Sequence, residues 1–318
     1  MAALSVVLPF GWATRRARDA QPRLWEFAVK ECRRRGAEPS GLVVTSPHYA
    51  ALVQQLQSEI PTYYYCSDDY WSYAGWARDE MREQEATILR YVRHAFFVSA
   101  ALRDRAIEEH GAEASRVSVS MNATDQEFLR PIRKEEIEGL FKSLPQLRRP
   151  LVGIVGAIND RLDFELIREV ATSDGIGSVL LIGSTSHGFR NSELESLRRN
   201  PKCVFAGSQP HESLPVWLGM LDVALIPFRR SEFNRMCSPM RLFDHLASGR
   251  PIVSTNACPQ INDFASVIAV AESSSQFVEM VETNSGRGRP PVDSLLELAR
   301  LHTWPRRAEQ INAALRTS

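Results

Sequence analysis

Three short stretches carry side chains whose types and spacing could do chemistry. In SPMRLFDHLASGRPIVST, residues 238–255, Arg241, Asp244, His245 and Ser248 recur at turn spacing opposite an apolar stripe of Leu242, Phe243, Leu246 and Ala247. Ser238 suits an N-cap, Pro239 the first helical position and Gly249 the C-terminal cap, so a helix of about three turns is expected before strand IVST. On a surface, Arg241 and Asp244 would form an ordinary i,i+3 ion pair. The chemical alternative is an anion pocket. Free N–H groups of the helix N-terminus, with Arg235 and Arg241 near them, would hold a diphosphate, and Asp244 one turn further in would accept both hydroxyls of a ribose.

In YYYCSDDYW, residues 63–71, a strand closes on Asp68 and Asp69 at its carboxyl end. Paired acids there could act as a general base or position a hydroxyl, and the aromatic neighbours suit stacking on a sugar or base. The plainer alternative is that Asp69 caps the next helix and Asp68 merely ends the strand. In LVGIVGAINDRLDF, residues 151–164, a strand ends in Gly156, which permits close backbone approach, and Arg161 stands at a helix start where phosphate binds. A simple turn is the competing account.

Other chemistries are excluded or unsupported. GSTSHGFR, residues 183–190, has Phe189 where a P-loop requires lysine, so nucleoside triphosphate hydrolysis is rejected. The histidines show no H-x-x-H or H-x-x-x-H and D-x-D is absent, so no protein-bound metal and no cofactor is expected. Formal net charge is +0, which removes the basic field of a nucleic-acid binder. The five cysteines are scattered without a C-x-x-C pair, which fits a reduced, cytoplasmic setting. No apolar run approaches a membrane span, and the N-terminal charges follow the apolar stretch rather than precede it. Segment 14–35 is basic with Leu24, Trp25, Phe27 and Val29 interleaved. It offers either a peripheral contact with an anionic membrane at its inner face or a solvated helix face.

The elements that must position these residues are short apolar runs: SVVLPF, GLVVTS, TYYYCS, AFFVS and RVSVS, then LVGIVG, VLLIG, CVFAG, DVALIPF, PIVST and VIAV. Amphipathic segments of helical length, such as 77–94 and 162–173, lie between most of them. Alternation of this kind specifies parallel sheets covered by helices on both faces. Charged, proline-bracketed residues 123–150 separate the two groups of strands, giving an expected division into 1–135 and 136–318. Two such αβα domains would leave a cleft at the carboxyl ends of their strands, where ligands of open sheets bind.

Together these stretches resemble the GT-B glycosyltransferases, specifically the group-1, or family-four, retaining transferases of bacterial surface-polysaccharide assembly. The family's run N-x-x-T-R-x-x-x-P-x-K-x-x-E-Y-L-A-x-G-x-P-V-V stands here as SEFNRMCSPMRLFDHLASGRPIV. Arg235, Pro239, Leu246, Ala247, Gly249 and Pro251 match directly. Arg241 takes the place of the lysine, Asp244 of the glutamate and His245 of the tyrosine. VGAINDRLDFELI and LPVWLGMLDVALIPF are similar to donor-domain segments, YYYCSDDYW and FFVSAALRDRA to acceptor-domain segments, SMNATDQEF to the hinge strand and HTWPRRAEQI to the closing helix. Asp244 reaches one methylene less far than glutamate. Met121, Ala123 and Tyr65 replace a proline, a glycine and an aspartate. Family members also begin with an additional strand, loop and helix, so the acceptor domain is expected to be incomplete.

The resemblance implies two Rossmann-like domains facing a central cleft and a nucleotide-sugar donor bound by Gly156, Arg161, Arg235, Ser238, Pro239, Arg241 and Asp244. It implies metal-independent, retaining transfer of one sugar to a glycan or lipid-linked acceptor, with Asp68 or Asp69 serving the acceptor hydroxyl. Two alternatives stay open: a non-catalytic nucleotide-binding partner subunit or relic, and a nucleotide-sugar epimerase.

Overall fold

The computed structural model describes residues 15–73, 75–185, 189–286 and 292–317. By internal packing the chain divides into two units, Met1–Met121 with Asn312–Ser318, and Asn122–Ile311. The division falls before the charged stretch. Residues 122–135, expected with the first unit, pack into the second because Asn122 bonds Ser238 and Thr124 pairs with Thr303.

In chain order the first unit contains α1 (Arg15–Arg34), β1 (Leu42–Val44), α2 (Ala50–Leu56), β2 (Thr62–Cys66), α3 (Arg78–Tyr91), β3 (His94–Phe97), α4 (Ala100–His110) and β4 (Val117–Val119). Its strands form one parallel sheet in the order β1-β2-β3-β4. The expected strand SVVLPF lies outside the described residues. The core is aromatic: Tyr64, Phe96 and Phe97 are buried, and the rings of Tyr64 and Phe97 meet edge to face with centroids 6.1 Å apart. The basic helix α1 packs against this unit, where the Gln21 amide donates to the His48 carbonyl at 3.0 Å, while Phe27 stays half exposed. No helix among the described residues is long and apolar enough to cross a membrane.

The second unit opens with α5 (Lys134–Lys142), β5 (Leu151–Val155), α6 (Phe164–Thr172), β6 (Ser178–Ile182), α7 (Ser192–Arg199), β7 (Cys203–Gly207) and α8 (Leu214–Met220). It continues through β8 (Val223–Ile226), α9 (Glu232–Met236), α10 (Met240–Ser248), β9 (Ile252–Thr255), α11 (Pro259–Asn262), β10 (Ala269–Ala271), α12 (Ser274–Asn284), α13 (Asp293–Leu301) and the start of α14 (Trp304–Thr317). All six strands run parallel in the order β10-β9-β8-β5-β6-β7. Central strands β5, β6 and β8 are buried along their whole length, as expected where helices cover both faces, whereas edge strand β7 is partly exposed.

This order reverses direction between β5 and β8, whose pairing sets Val152 against Val223. Such a switch point opens a crevice at the carboxyl ends of the two strands. At their amino ends, Asp222 closes the opposite edge by accepting from the Leu151 N–H at 2.7 Å and the Arg149 guanidinium at 2.5 Å. Helix α10 lies over the sheet through Leu242, Phe243 and Leu246, all fully buried, each contributing about 1.5–3 kcal/mol of apolar burial. Gly249 ends it in the left-handed conformation, as the sequence predicts.

Candidate functional site

The switch point of the second unit gathers the donor-side candidates. Residues 227–239, joining β8 to α10, form one wall. Helix α10 begins at Met240, one residue later than expected, and Ser238 is not its side-chain cap. The Ser238 hydroxyl instead accepts from the Asn122 N–H at 3.0 Å, and the Asn122 amide donates to the Ser238 carbonyl at 2.8 Å. A competing tertiary partner has taken the capping oxygen. The first N–H groups of α10 are therefore left without a side-chain acceptor, and the positive end of the helix remains uncompensated.

Two glycines stand on the facing side, where main chain meets main chain. Gly156 follows β5 with φ +116°, and a Cβ there would lie 3.2 Å from Nη2 of Arg241. Gly183 follows β6 with φ +145°, and a Cβ there would lie 2.1 Å from the Gly156 carbonyl oxygen. No side chain fits between them. Arg241 crosses the gap: its Nη2 donates to the Ala157 carbonyl at 3.1 Å, and its Cζ sits 5.1 Å from the centroid of the Phe228 ring. Its Nη1 is buried and bonded to no described residue. Burial and the neighbouring Arg161 pull the guanidinium down to about 9, so it is still cationic at neutral pH.

Arg161 shares the same aromatic surface. It precedes Asp163, the cap of α6, and so lies in the loop rather than on the helix. Its Cζ is 4.9 Å from the Phe228 centroid and 4.8 Å from that of Phe233. Its Nε donates to Asn234 Oδ1 at 2.9 Å and its Nη2 to Cys237 Sγ at 3.0 Å. Asn234, fully buried, returns two bonds to the carbonyls of Arg161 and Arg229, so this one amide holds the loop from both sides. Arg235 behaves differently from its expected role. It is exposed in the last turn of α9, and its side chain makes no hydrogen bond or ion pair among the described residues.

Asp244 stands one turn along α10. Thr124 Oγ1 donates to its Oδ1 at 2.8 Å, and Thr124 is itself fully buried and fixed by main-chain bonds with His302 and Trp304. Burial raises the Asp244 carboxyl to about 6, with the Thr124 bond opposing the rise. His245, expected on the polar side of the helix, is instead fully buried against the Leu225 backbone, and burial pushes it down to about 3, with the Leu225 contact opposing the fall. The imidazole is a neutral core residue.

In the first unit the adjacent acids part company in the bend that follows β2. Asp69 is fully buried in an ion pair with Arg105 at 2.8 Å, and Arg105 lies 3.8 Å over the Trp71 ring. Nearby Glu85, also buried and raised by that burial, accepts from the Tyr64 hydroxyl at 2.8 Å. Asp69 is thus held as structure rather than presented for acid–base work. Asp68 is half-buried, and its carboxylate accepts from the Tyr73 hydroxyl at 2.8 Å and the Asp69 N–H at 3.0 Å. Tyr73 packs against Tyr70 and Trp76, with Trp76 stacked on Tyr70 at 5.7 Å.

Four residues that complete the second-unit site were not singled out from sequence: Asn122, Thr124, Gly183 and Asn234. The first two sit in SMNATDQEF, so the hinge-strand resemblance was a usable signal. Among the described residues no cluster of three or more His, Cys, Asp or Glu side chains is placed to hold a metal ion.

No protein-family model matches the chain. It is 27% identical over 149 residues to TuaH of Bacillus subtilis (strain 168), assigned as a teichuronic acid biosynthesis glycosyltransferase. The match takes in 46% of this chain and 33% of TuaH, about a third of that relative. Among solved structures, HepE of Anabaena in complex with UDP superposes with a TM-score of 0.75 at 13% identity, covering 93% of this chain and 82% of HepE. Sucrose-phosphate synthase from Thermosynechococcus elongatus gives 0.72 at 15% identity, covering 97% and 81%. The lipopolysaccharide outer core galactosyltransferase WaaB, in its apo form, gives 0.61 at 14% identity, covering 95% and 80%. The chain has the GT-B fold that these proteins share.

Proposed function

We propose that the protein is a glycosyltransferase that takes a sugar from a UDP-sugar and adds it to a glycan or lipid-linked acceptor, retaining anomeric configuration without a metal. The observation that carries this reading is the pair of guanidinium groups on one phenylalanine ring, one with a buried Nη1 that has no acceptor among the described residues. Two cations and a helix N-terminus stand together with Asp244 nearby but no carboxylate in ion-pair contact with either guanidinium among the described residues, an arrangement suited to a diphosphate. HepE is known in complexes with UDP, with UDP and glucose, and with UDP-glucose, which favours uridine over other bases.

As the bond from the anomeric carbon to the diphosphate breaks, negative charge builds on the leaving oxygen, and Arg161 and Arg241 with the α10 N–H groups stabilise it. Asp244, ionised and oriented by Thr124, accepts the ribose hydroxyls. In the first unit Asp68 is the carboxylate left to orient the acceptor hydroxyl and take its proton, with the aromatic group around it available for stacking on a sugar.

Calorimetric titration with UDP, GDP and the matching nucleotide-sugars tests the donor half. UDP is expected to bind, and Arg241→Ala and Asp244→Ala each to weaken that binding by roughly thirtyfold or more without unfolding the chain. Folded protein that binds none of these nucleotides, or variants that bind as well as the parent, would overturn the assignment.

A further inference from the structure

The second unit has a pocket at the opposite end of α10. Its volume is about 300 Å³, within the range of small-molecule sites. Phe128, Leu218 and Leu296 form an apolar floor, and Arg130, Arg250 and Arg300 stand around it, with no carboxylate among the lining side chains. β9 starts at Ile252, two residues after Arg250, so the pocket flanks the amino ends of the strands, whereas Arg241, Gly156 and Gly183 lie at the carboxyl ends. The two sites are separated by roughly the length of a nine-residue helix, about 13 Å.

The charges are only partly answered. Arg130 meets Glu136 at 3.3 Å. Arg250 donates to the Gly219 carbonyl at 2.5 Å, and the Asp222 carboxylate acts on its guanidinium. Arg300 is exposed and makes no ion pair among the described residues. An apolar floor under guanidinium groups is complementary to a molecule with an apolar body and one anionic head, since the body gains from leaving water and the head from planar, charge-assisted donors.

We propose that this pocket is a second ligand site, distinct from the donor site, that binds a small amphiphile bearing a single phosphate or carboxylate group. The proposal does not rest on the glycosyltransferase reading. Two elements that line the pocket also hold the donor-side acid: residues 128–132 continue from Thr124, and Ala247 and Ser248 are the last turn of the helix carrying Asp244.

The test is calorimetry on the full chain with phenyl phosphate and phenylacetate, each set against its separate halves, inorganic phosphate or acetate and benzyl alcohol. UDP is titrated into the same preparation. Phenyl phosphate or phenylacetate is expected to bind at least about tenfold more tightly than either half, and the stronger of the two names the head group. Arg300→Glu should weaken that binding by about tenfold, Leu296→Trp should fill the pocket and abolish it, and neither should alter the melting temperature or UDP affinity. Amphiphiles that bind no better than their halves, binding untouched by both variants, or stoichiometric displacement by UDP would overturn the proposal. Loss of UDP binding alone would bear only on the donor site.

Discussion

At the end of β2, Asp69 and Arg105 lie 0% and 6% exposed and close a charge circuit with Trp71 beneath the guanidinium. At the start of α10, Arg161 and Arg241 press on one ring with no carboxylate in ion-pair contact among the described residues; Asp244 acts on Arg241 only at a distance and accepts from Thr124. Both clusters hold partly desolvated charge, but only the first closes it in a direct ion pair. Burying charge is tolerable when it is paired, so an internally balanced cluster reads as architecture and an unbalanced one as a site waiting for its counter-charge.

Breaking the balanced cluster should cost most. Asp69→Asn leaves Arg105 buried against a neutral partner, and an expected loss of about 3–5 kcal/mol is measured by denaturant unfolding, with UDP affinity of the folded fraction unchanged. Arg241→Ala inverts the pattern: UDP affinity falls by about 2 kcal/mol, roughly thirtyfold, while thermal stability holds or rises because a repulsive pair is removed. Thr124→Val sharpens the contrast within the site. Without its hydrogen bond the Asp244 carboxyl titrates above its present value of about 6, so the gain in UDP affinity that accompanies its ionisation moves to higher pH.

The same acid fixes a stability trade. A carboxyl whose folded pKa is raised contributes stability at low pH that is lost as pH rises from about 4 to about 6. Asp244→Asn should therefore melt higher than the parent at pH 8, with the advantage shrinking toward pH 4.5, while losing ribose recognition. The smallest effect is expected at His245. Its folded pKa is depressed, so stability present above about pH 6.5 drains away as pH falls toward about 3. His245→Leu should remove that acid sensitivity, with paired melting curves of variant and parent coinciding near pH 7.5 and parting as pH falls.

Most of the architecture was legible in the sequence because its signals are local. Ten described strands coincide with apolar runs, since a parallel strand covered on both faces needs continuous side chains of one kind, and the stripe of Leu242, Phe243, Leu246 and Ala247 marks the buried face of α10. The site was legible in outline only. Arg161, Arg241, Asp244 and Gly156 were picked from residue type and come together at the switch point, but Ser238 was misread as a cap because its partner Asn122 lies 116 positions away. Thr124 is 120 positions from Asp244, beyond any periodicity. His245 sits at the border of the apolar stripe, where a helical period does not decide between core and solvent. Asp68 and Asp69 are adjacent in sequence, but the chain bends at Asp68 and the partner of Asp69 is Arg105 on α4.

The contact between Gly156 and Gly183 has a consequence for how this protein can vary. Where β5 and β6 end, peptide groups meet directly at two positions that admit no side chain. No functional group can be added at these two positions, so the peptide groups they present stay fixed while the rest of the chain drifts. A saturation scan should show the imprint directly: intolerance at Gly156 and Gly183 beside permissive neighbours, with discrimination between molecules evolving on the opposite wall, where Arg161, Asn234 and Arg241 can be exchanged one codon at a time.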